Sequence, residues 1–497
     1  MRTKRNQKVL VVGAGLGGIA AAITLATEGF DVEVLEKNEK IGGKLNVAET
    51  AGFRFDLGPS IIILPQLFRR VFDRAGVEMD DYVKLQELDP QWRGFFTDGV
   101  QLDLCSDMRL MEEQLGKLGP DADGYFDYVE HSRKQWRFAE QTYLEPGSQS
   151  VYQIMRHADA SKLKDVAFAS TMYQGVARHI KEPHLRDMLA FFSKYVGSSP
   201  YDSPGMLGLL AYAQLGWGLW YVEGGMYNLA RGYARLMDEL GIVTRLGAEV
   251  TELTREGSRV TGARLADGSH LAADAIVSNM EVIPAYERLL GETGHLMKRY
   301  QRRFEPAVSG LVLHLGISHD YPQLLHHNFF YSANAAEFCH TIHRRKELPE
   351  DPHIYLVCPT KTDPALAPPG HSIIKILPHI PYIQDPPHTR QDYERLRERV
   401  LDKLERMGLK QLRRHVVVED MLTPDDLQRM YFSNRGSIYG VVNHWRKNFS
   451  LKAPQRSEIY SNLYFVGGST NPGGGTCMVV LSGQNAAHQL SQELSRT

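Results

Sequence analysis

The chain opens on apolar runs whose length and spacing predict alternating strands and helices. Residues 8–12 and 32–36 are apolar runs of strand length, and residues 19–28 between them form a longer run of helical length. A strand, a helix and a second strand in that order are typical of a parallel βαβ unit. We therefore predict an α/β fold that begins with a parallel sheet.

Two later blocks are expected to return to that sheet. Residues 243–279 hold several short apolar runs around Asp267-Gly268, a pair that favours a hairpin turn. Residues 463–467 form another short apolar run, which enters a glycine-rich turn. Three separated blocks are therefore expected to share one domain.

The stretches between these blocks are richer in aromatic residues, histidine and proline, and predict a discontinuous second domain. At 497 residues the chain exceeds the size at which one hydrophobic core keeps growing. The predicted boundaries are 1–104, 223–286 and 456–497 for the first domain, and 105–222 and 287–455 for the second. Within the second domain, the pattern of residues 389–407 predicts an amphipathic helix. Its apolar face, which is expected to pack in the core, consists of Tyr393, Leu396, Val400, Leu401 and Leu404.

Composition narrows the class of protein. Lys and Arg number 57 against 59 Asp and Glu, a net charge of −2, so bulk electrostatics give no reason to expect a nucleic-acid partner. The four cysteines are far apart and form no two-residue spacing, which favours a reducing cytoplasm. Residues 1–6 are basic, but the apolar run after them enters a glycine turn, so we predict no targeting signal.

One uncharged stretch, residues 203–222, is long enough to cross a bilayer. It also contains Pro204, Gln214 and four glycines, which weaken a free-standing transmembrane helix. A buried or membrane-facing segment is therefore favoured over a true span.

The glycine motif Gly13-x-Gly15-x-x-Gly18 lies between the first predicted strand and helix. Gly13 permits the tight turn, Gly15 lets the backbone approach a pyrophosphate, and Gly18 lets the helix pack closely on the strand. Glu36 ends the second predicted strand, where a carboxylate accepts hydrogen bonds from a ribose. Together these residues predict a dinucleotide site, against the alternative of a structural turn and a surface glutamate.

Further glycines favour FAD over NAD as the dinucleotide. Gly42-Gly43 follows closely after Glu36 and suits a backbone that wraps a longer cofactor, with Lys44 facing phosphate, although such a pair also occurs in simple hairpins. The turn at residues 55–60 is expected against the isoalloxazine ring. Residues 467–475 form a glycine-rich nest before a helix, which is a site for an anion or for a reduced flavin.

Clustered histidines raise a rival interpretation, because iron oxygenases that act on hydrocarbons use them. The chain has His326-His327 and His340-x-x-His343, but the acidic partners expected beside a helical pair are limited to Glu337. We therefore favour satisfied or surface histidines, and predict no metal.

These motifs together resemble the carotenoid desaturase family of flavoproteins over essentially the whole chain. The residues that carry the resemblance are Gly13-Ala-Gly-Leu-Gly-Gly18, Glu36-Lys37, Ile41-Gly-Gly-Lys44, Phe55-Asp-Leu-Gly-Pro59 and the C-terminal glycine block. Within the family the chain is most similar to the oxygenases that oxidise terminal methyl groups of C30 carotenoids, the diaponeurosporene and diapolycopene oxygenases. The segments that point to this branch are residues 195–199, 218–225, 278–284, 321–323, 326–330, 377–385 and 434–436.

The resemblance implies a Rossmann-like FAD-binding domain with an inserted mixed α+β substrate domain. The family's flavin contacts carry over to Gly13, Gly15, Gly18, Glu36, Lys37, Gly43, Lys44, Gly58, Pro59, Gly225, Gly468 and Met478. No catalytic residue carries over. Desaturases of the family show Thr-His-Pro-Gly-Ala-Gly where this chain has Thr470-Asn-Pro-Gly-Gly-Gly475, so Asn471 replaces a histidine expected beside the flavin.

The implied activity is oxidation of the terminal methyl of a linear C30 carotenoid to an aldehyde with molecular oxygen. A carotenoid desaturase or isomerase is the near alternative; a flavin amine oxidase, with Cys477 as a point of flavin attachment, and a flavin-binding protein without turnover are the others. A lipid-soluble polyene implies an apolar channel and a peripheral contact with the cytoplasmic membrane surface. The aromatic residues expected in that channel are Phe191, Phe192, Trp217, Trp220, Phe329 and Phe330, with ordinary core packing as the alternative.

Overall fold

The computed structural model describes residues 5–161, 166 and 170–495. Residues 1–4 of the basic N-terminal stretch, from which no targeting signal was predicted, lie outside the described residues. So do residues 496–497 at the end of the last predicted segment.

The strands follow the order of the chain. They are β1 (Lys8–Val12), β2 (Asp31–Leu35), β3 (Val47–Thr50), β4 (Phe53–Asp56), β5 (Leu85–Glu87), β6 (Trp92–Phe95), β7 (Gln101–Leu104), β8 (Trp220–Val222), β9 (Val243–Arg245), β10 (Val250–Glu256), β11 (Arg259–Leu265), β12 (His270–Ala272), β13 (Ala275–Ser278), β14 (Ser309–Gly310), β15 (Val312–Ile317), β16 (His327–Phe330), β17 (Ile354–Val357), β18 (Ser372–Ile380), β19 (Val416–Leu422) and β20 (Leu463–Phe465).

The α-helices are likewise numbered in chain order, and six of them, α3 to α8, follow one another between β7 and β8. They are α1 (Leu16–Thr27), α2 (Pro65–Ala75), α3 (Met108–Leu118), α4 (Tyr125–Ala139), α5 (Val151–His157), α6 (Met172–Ala177), α7 (Pro183–Ala190), α8 (Leu209–Leu215), α9 (Tyr227–Glu239), α10 (Val282–Leu290), α11 (His295–Arg303), α12 (Ala335–His340), α13 (Arg390–Arg406), α14 (Leu412–His415), α15 (Pro424–Tyr431) and α16 (Thr476–Leu494).

A five-stranded parallel sheet forms the first layer, in the order β20, β13, β1, β2, β9. Alternate residues of β1 face opposite cores: Val9 and Val11 pack with the helices on one side, and Leu10 and Val12 pack on the other. Burial on both faces explains why these strands are continuous apolar runs. The prediction that three separated blocks contribute strands to one sheet is confirmed, and the fold is α/β.

Helices α1 and α16 pack against each other beneath this sheet. A Cβ atom at Gly483 of α16 would lie 2.2 Å from the carbonyl oxygen of Gly17 in α1. Because only glycine fits that spacing, the two helices approach with their backbones in contact. The contact holds the N-terminal and C-terminal parts of the chain together.

The predicted hairpin around Asp267-Gly268 is confirmed. Strands β11 and β12 pair in antiparallel fashion on either side of that turn, and β10 pairs with β11. This three-stranded sheet packs with α10 over the second face of the parallel sheet. Strand β13 then enters the parallel sheet beside β1.

A second, larger sheet is built from the middle of the chain, in the order β19, β15, β18, β17, β16, β6, β7, with β14 also paired to β18. It is antiparallel except where β16 runs parallel to β6. Strands β6 and β7 lie within residues 1–104, which were predicted to belong to the first domain, yet they are part of this sheet. The five-segment division remains a prediction.

Helix α13 confirms the amphipathic stripe predicted at residues 389–407. Thr389 caps the helix by accepting a hydrogen bond from the backbone N–H of Asp392, whose side chain bonds back to the backbone N–H of Thr389. The stripe packs on β15 and β18, and its residues are Tyr393, Leu396, Val400, Leu401 and Leu404.

The uncharged segment at 203–222 is divided into short elements. It contains a 3-10 turn (Gly205–Gly208), α8 and β8. In the part of the chain that the structure describes, no helix combines the length and the apolar character needed to cross a bilayer.

Candidate functional site

A single cavity of about 960 Å³ joins the parallel sheet to the second domain. Its wall at one end is made of the glycine turns after β1 and before α16, and its other end reaches the exposed helix α5. The volume lies at the upper end of ordinary ligand pockets, which run from about 300 to 1,000 Å³.

The N-terminus of α1 faces the first end of this cavity. Gly15 is its N-cap and makes no side-chain cap, and the first turn has no acidic residue. The first backbone N–H groups of a helix lack partners within the helix, and its dipole favours negative charge there. Gly13 and Gly15 line the cavity, whereas Gly18 lies behind them, where a Cβ would be 2.1 Å from the carbonyl oxygen of Gly13.

Glu36 is buried at the end of β2 and lines the same end of the cavity. Its Oε2 accepts a hydrogen bond from the Ala14 backbone N–H at 2.8 Å. Its Oε1 accepts two from Asn38, from the backbone N–H at 2.9 Å and from Nδ2 at 2.8 Å. A carboxylate offers about four acceptor positions, so one remains on Oε2 for a ribose hydroxyl.

The second glycine pair packs directly on the first glycine turn. The Gly42 backbone N–H donates to the carbonyl of Ala14 at 2.7 Å, and a Cβ at Gly43 would lie 3.0 Å from the Cα of Gly15. Lys44 lines the cavity, but its Nζ is held by Glu281 Oε1 at 3.4 Å and by the Ser437 carbonyl at 3.0 Å. Its ammonium is therefore shared with protein acceptors.

Lys37 lines the cavity beside Glu36. Its Nζ donates to the carbonyl of Arg429 at 3.2 Å and lies 4.5 Å from the ring centroid of Phe432. Residues of α15 and of the loop after it therefore close the end of the cavity that Glu36 lines.

Gly58 and Pro59 line the cavity after β4. A Cβ at Gly58 would lie 1.7 Å from the Lys44 carbonyl oxygen, so this close approach requires glycine. The carbonyl of Gly58 accepts a hydrogen bond from Lys375, a buried lysine of β18 that also lines the cavity. Burial lowers the pKa of Lys375 to about 8, against the opposing effect of Asp56.

The C-terminal glycine block forms the opposite wall, with Gly468 and Met478 in the lining. Helix α16 begins after Gly475 with no side-chain cap and no acidic residue in its first turn. A second helix N-terminus is therefore directed at the same cavity. Cys477 also lines it, and burial raises the pKa of its thiol to about 12.

Two predicted residues lie away from the cavity wall. Asn471 is buried and braces the glycine block: its Oδ1 accepts from Tyr143 at 3.0 Å and from the Lys452 backbone N–H at 2.8 Å. The Asn471 side chain does not line the cavity, although the neighbouring Pro472 and Gly473 do. Gly225 shapes the turn before α9, with φ of +99°, where Asp56 accepts the Met226 backbone N–H at 2.8 Å.

The predicted aromatic channel is also wrong, since none of its six residues lines the cavity. Phe192 and Phe329 pack on Trp92 at centroid distances of 4.8 and 5.2 Å, and Phe330 stacks on Phe95 on the other face of the sheet. Neighbouring residues of a strand point to opposite faces, so the pair at 329–330 cannot both face one channel. The apolar wall consists mainly of Ile61, Ile63, Leu64, Trp136, Phe138, Leu144, Leu207 and Leu210.

Several polar groups of the wall were missed from the sequence. His379 Nε2 lies 3.1 Å from the hydroxyl of Tyr439, and burial lowers the pKa of His379 to about 4. Lys194 lines the wall beside them. A signal was present for Lys375, since a lysine inside the apolar run 372–380 needs a buried partner.

The paired histidines are placed in the core. His326 Nδ1 lies 2.7 Å from Thr362 Oγ1, and His327 Nδ1 lies 2.9 Å from the Tyr355 hydroxyl. Burial lowers the pKa of His326 to about 3, so its ring is neutral. Within residues 5–161, 166 and 170–495, no group of three or more His, Cys, Asp or Glu side chains is arranged to hold a metal ion.

The wall fits an extended flavin dinucleotide. Two uncapped helix N-termini offer backbone donors to anionic groups. Glycines at 15, 43 and 58 leave no room for side chains, and Glu36 keeps one acceptor position for a ribose. The residues that would hold the group are those of the glycine turns at both ends of the chain.

Comparison with known proteins agrees with this fit. The family described as flavin containing amine oxidoreductase matches residues 16–491. A 4,4'-diapolycopene oxygenase of Methylomonas sp is 50% identical over 497 residues, which cover 99% of this chain and all of that protein. A 4,4'-diaponeurosporene oxygenase of Staphylococcus haemolyticus (strain JCSC1435) is 46% identical over 488 residues, 98% of this chain and 97% of that protein.

Among solved structures, an oxidoreductase from Methanosarcina mazei has a TM-score of 0.62 at 14% identity, and the match covers 99% of this chain and 100% of that one. At 14% identity this similarity shows that the two chains share a fold. The resemblance drawn from the glycine motifs is confirmed by the relatives in sequence. This chain is an FAD-dependent oxidoreductase and belongs to the family of flavin-containing amine oxidoreductases.

Proposed function

We propose that the protein oxidises the terminal methyl group of a linear C30 carotenoid to an aldehyde, with molecular oxygen as the oxidant, in carotenoid biosynthesis. One observation carries the proposal. A single cavity connects the two glycine turns to an apolar wall and then to an exposed apolar rim. A long hydrocarbon can enter such a cavity end first.

The cavity suits a substrate that has no hydrogen-bonding groups. Leucine, isoleucine and aromatic side chains of the wall exclude water and fix the polyene by contact alone. Bound FAD supplies the redox chemistry. The protein then contributes the position of the terminal methyl and the dryness of the site.

The names of two relatives support the choice of substrate. They are a 4,4'-diapolycopene oxygenase and a 4,4'-diaponeurosporene oxygenase, which align along nearly the whole of this chain at 50% and 46% identity. The names describe oxygenases, one for 4,4'-diapolycopene and one for 4,4'-diaponeurosporene.

The rim of the cavity supports a peripheral contact with the cytoplasmic membrane. Val151 and Met155 of α5, with Trp445 and Phe449, line the cavity and are also exposed, Phe449 by 67%. Exposed apolar side chains at the mouth of an apolar channel are typical of a surface that rests on lipid. Arg446 lies among them and suits anionic headgroups.

Substitution of Phe449 tests this contact. Burial of a phenylalanine side chain contributes about 1.5–3 kcal/mol, so Phe449→Asp is expected to weaken binding to anionic liposomes by tenfold or more in co-sedimentation. Val417→Asp is the matched control, because Val417 is 55% exposed but does not line the cavity. Equal losses for the two variants, or no loss for Phe449→Asp, would contradict the proposed contact.

Pigment analysis tests the activity. Cells that make a linear C30 polyene are grown with the wild-type gene, with no gene, and with Gly15→Val, whose side chain would collide with Asn279 at the first glycine turn. We expect a terminal aldehyde only with the wild-type gene. Products with additional double bonds and no oxygen would assign the protein to the desaturases instead, and an unchanged polyene would reject both activities.

A further inference from the structure

Asn279 is the first residue after β13 and lines the cavity between the two glycine turns. Strand β13 lies between β1 and β20 in the parallel sheet, and all three strands run in one direction. The carboxyl ends of parallel strands meet at the same edge of a sheet, and ligands of such sheets bind there. The residue after the middle strand therefore comes between the turns that follow its two neighbours.

Backbone hydrogen bonds hold Asn279 in this position from both sides. Its N–H donates to the carbonyl of Val12 at 2.8 Å, and the carbonyl of Ser278 accepts from the N–H of Val466 at 2.9 Å. Val12 and Val466 each directly precede a glycine turn. The sheet itself therefore fixes the position of Asn279 relative to both turns.

The amide group of Asn279 packs against both glycine turns. A Cβ atom at Gly15 would lie 2.3 Å from Nδ2, and one at Gly17 would lie 2.7 Å from Oδ1. A Cβ atom at Gly467 would lie 3.2 Å from Oδ1. Gly15 and Gly467 line the cavity, so the amide lies where the backbone is expected to approach a pyrophosphate.

The amide of Asn279 is accessible and has no partner in the protein. The residue is half-buried, and its two amide atoms are not among the unpaired polar atoms that the protein encloses. The hydroxyl of the neighbouring Ser278, by contrast, is enclosed. Neither Nδ2 nor Oδ1 makes a hydrogen bond to another described residue. A polar group that lines a ligand cavity without a protein partner is available to the ligand.

We propose that the Asn279 amide donates a hydrogen bond to the pyrophosphate of bound FAD, between the N-termini of α1 and α16. The inference concerns the cofactor and holds whichever substrate the protein oxidises. Both helices begin without a side-chain cap and without an acidic residue in the first turn, so negative charge is favoured between them. The amide adds two N–H donors to this position and no charge.

The substitution Asn279→Asp separates this role from a structural one. It keeps the shape of the side chain, but it replaces the donor by a negatively charged acceptor, which repels a pyrophosphate. In the protein without cofactor the same carboxylate interacts favourably with two helix N-termini. The substitution should therefore weaken cofactor binding without destabilising the empty protein, whereas a residue that only supports the fold would not separate the two effects.

The test measures FAD affinity, and thermal unfolding of the apoprotein, for Asn279→Asp, Asn279→Ala and Asn228→Asp. Asn228 is half-buried in α9 and does not line the cavity, so it gives the same change of charge away from the cofactor. We expect FAD affinity to fall about tenfold in Asn279→Ala and about a hundredfold in Asn279→Asp, and to stay within about twofold of wild type in Asn228→Asp. The melting temperature of the Asn279→Asp apoprotein should equal or exceed that of the wild-type apoprotein.

ADP is a second probe, because it carries a pyrophosphate and no flavin. Its dissociation constant, measured by competition with FAD, should rise in Asn279→Asp by about the same factor as that of FAD. Loss of FAD affinity without loss of ADP affinity would overturn the assignment, because the amide would then contact the flavin part of the cofactor. Unchanged FAD affinity in Asn279→Asp would also overturn it, and so would equal losses in both Asn279 variants together with a lower melting temperature.

Discussion

Replacement of Glu36 by glutamine changes one atom of the site and tests the predicted dinucleotide contact. The carboxylate accepts three hydrogen bonds from protein, one from Ala14 at 2.8 Å and two from Asn38 at 2.8 and 2.9 Å. An amide replaces one acceptor oxygen by an N–H donor. Whichever way the amide turns, one donor then faces either the Ala14 or the Asn38 backbone N–H.

The expected effect follows from the bonds lost. Hydrogen bonds to charged groups contribute about 1.5–3 kcal/mol, and the substitution removes the charge from the bond to the ribose and misaligns the loop that carries Ala14. A loss of that size weakens FAD binding roughly ten- to 150-fold. Titration of the apoprotein with FAD, followed by flavin fluorescence, measures it.

Glu33 provides the matched control on the same strand. It is as buried as Glu36, but its carboxylate pairs with Lys8 at 2.7 Å and with Arg245, away from the cavity. Glu33→Gln is expected to lower stability and to leave the dissociation constant of FAD within about twofold of wild type. An unchanged FAD affinity in Glu36→Gln, or equal losses in both variants, would refute the reasoning.

Two further predictions concern stability. Gly483→Ala should destabilise the protein by about 1–3 kcal/mol in thermal unfolding, because the methyl group would meet the Gly17 carbonyl, whereas Gly116→Ala, which meets no atom within 4 Å, should not. Burial alone would raise the pKa of Glu305, but Lys346 and Lys447 hold it at about 2, so its ion pairs contribute about 3 kcal/mol above pH 4.5 that are lost as the pH falls toward 2. Glu305→Gln should flatten that part of the pH–stability profile, and a parallel profile would contradict this.

The first βαβ unit was predictable because its geometry leaves few choices of residue. Only a glycine fits at Gly18 against the Gly13 carbonyl and at Gly58 against the Lys44 carbonyl, so these positions are visible in the sequence. The alternation of Val9 and Leu10 between two cores likewise produces a continuous apolar run. The residues at the cofactor end of the site could therefore be predicted from local backbone geometry.

The substrate end was not predictable in the same way. Phe329 and Trp92 are apolar whether they face a cavity or a core, and only the packing of β16 on β6 decides between the two. Asn471 occupies the sequence position of the family's histidine, yet its side-chain oxygen Oδ1 accepts hydrogen bonds from the Tyr143 hydroxyl and the Lys452 backbone N–H. Lys194 follows Phe191-Phe192-Ser193, and nothing in this sequence distinguishes it from a surface lysine. Only the fold places its amine over the ring of Trp92.

The central claim is tested most directly by the source of the oxygen atom in the product. FAD-loaded protein is given the linear C30 polyene under isotopically labelled molecular oxygen, and the aldehyde is trapped at once by reduction so that exchange with water is controlled. The account predicts labelled oxygen on the terminal carbon, detected by mass spectrometry. Unlabelled product, or new double bonds formed without oxygen under an alternative electron acceptor, would contradict it.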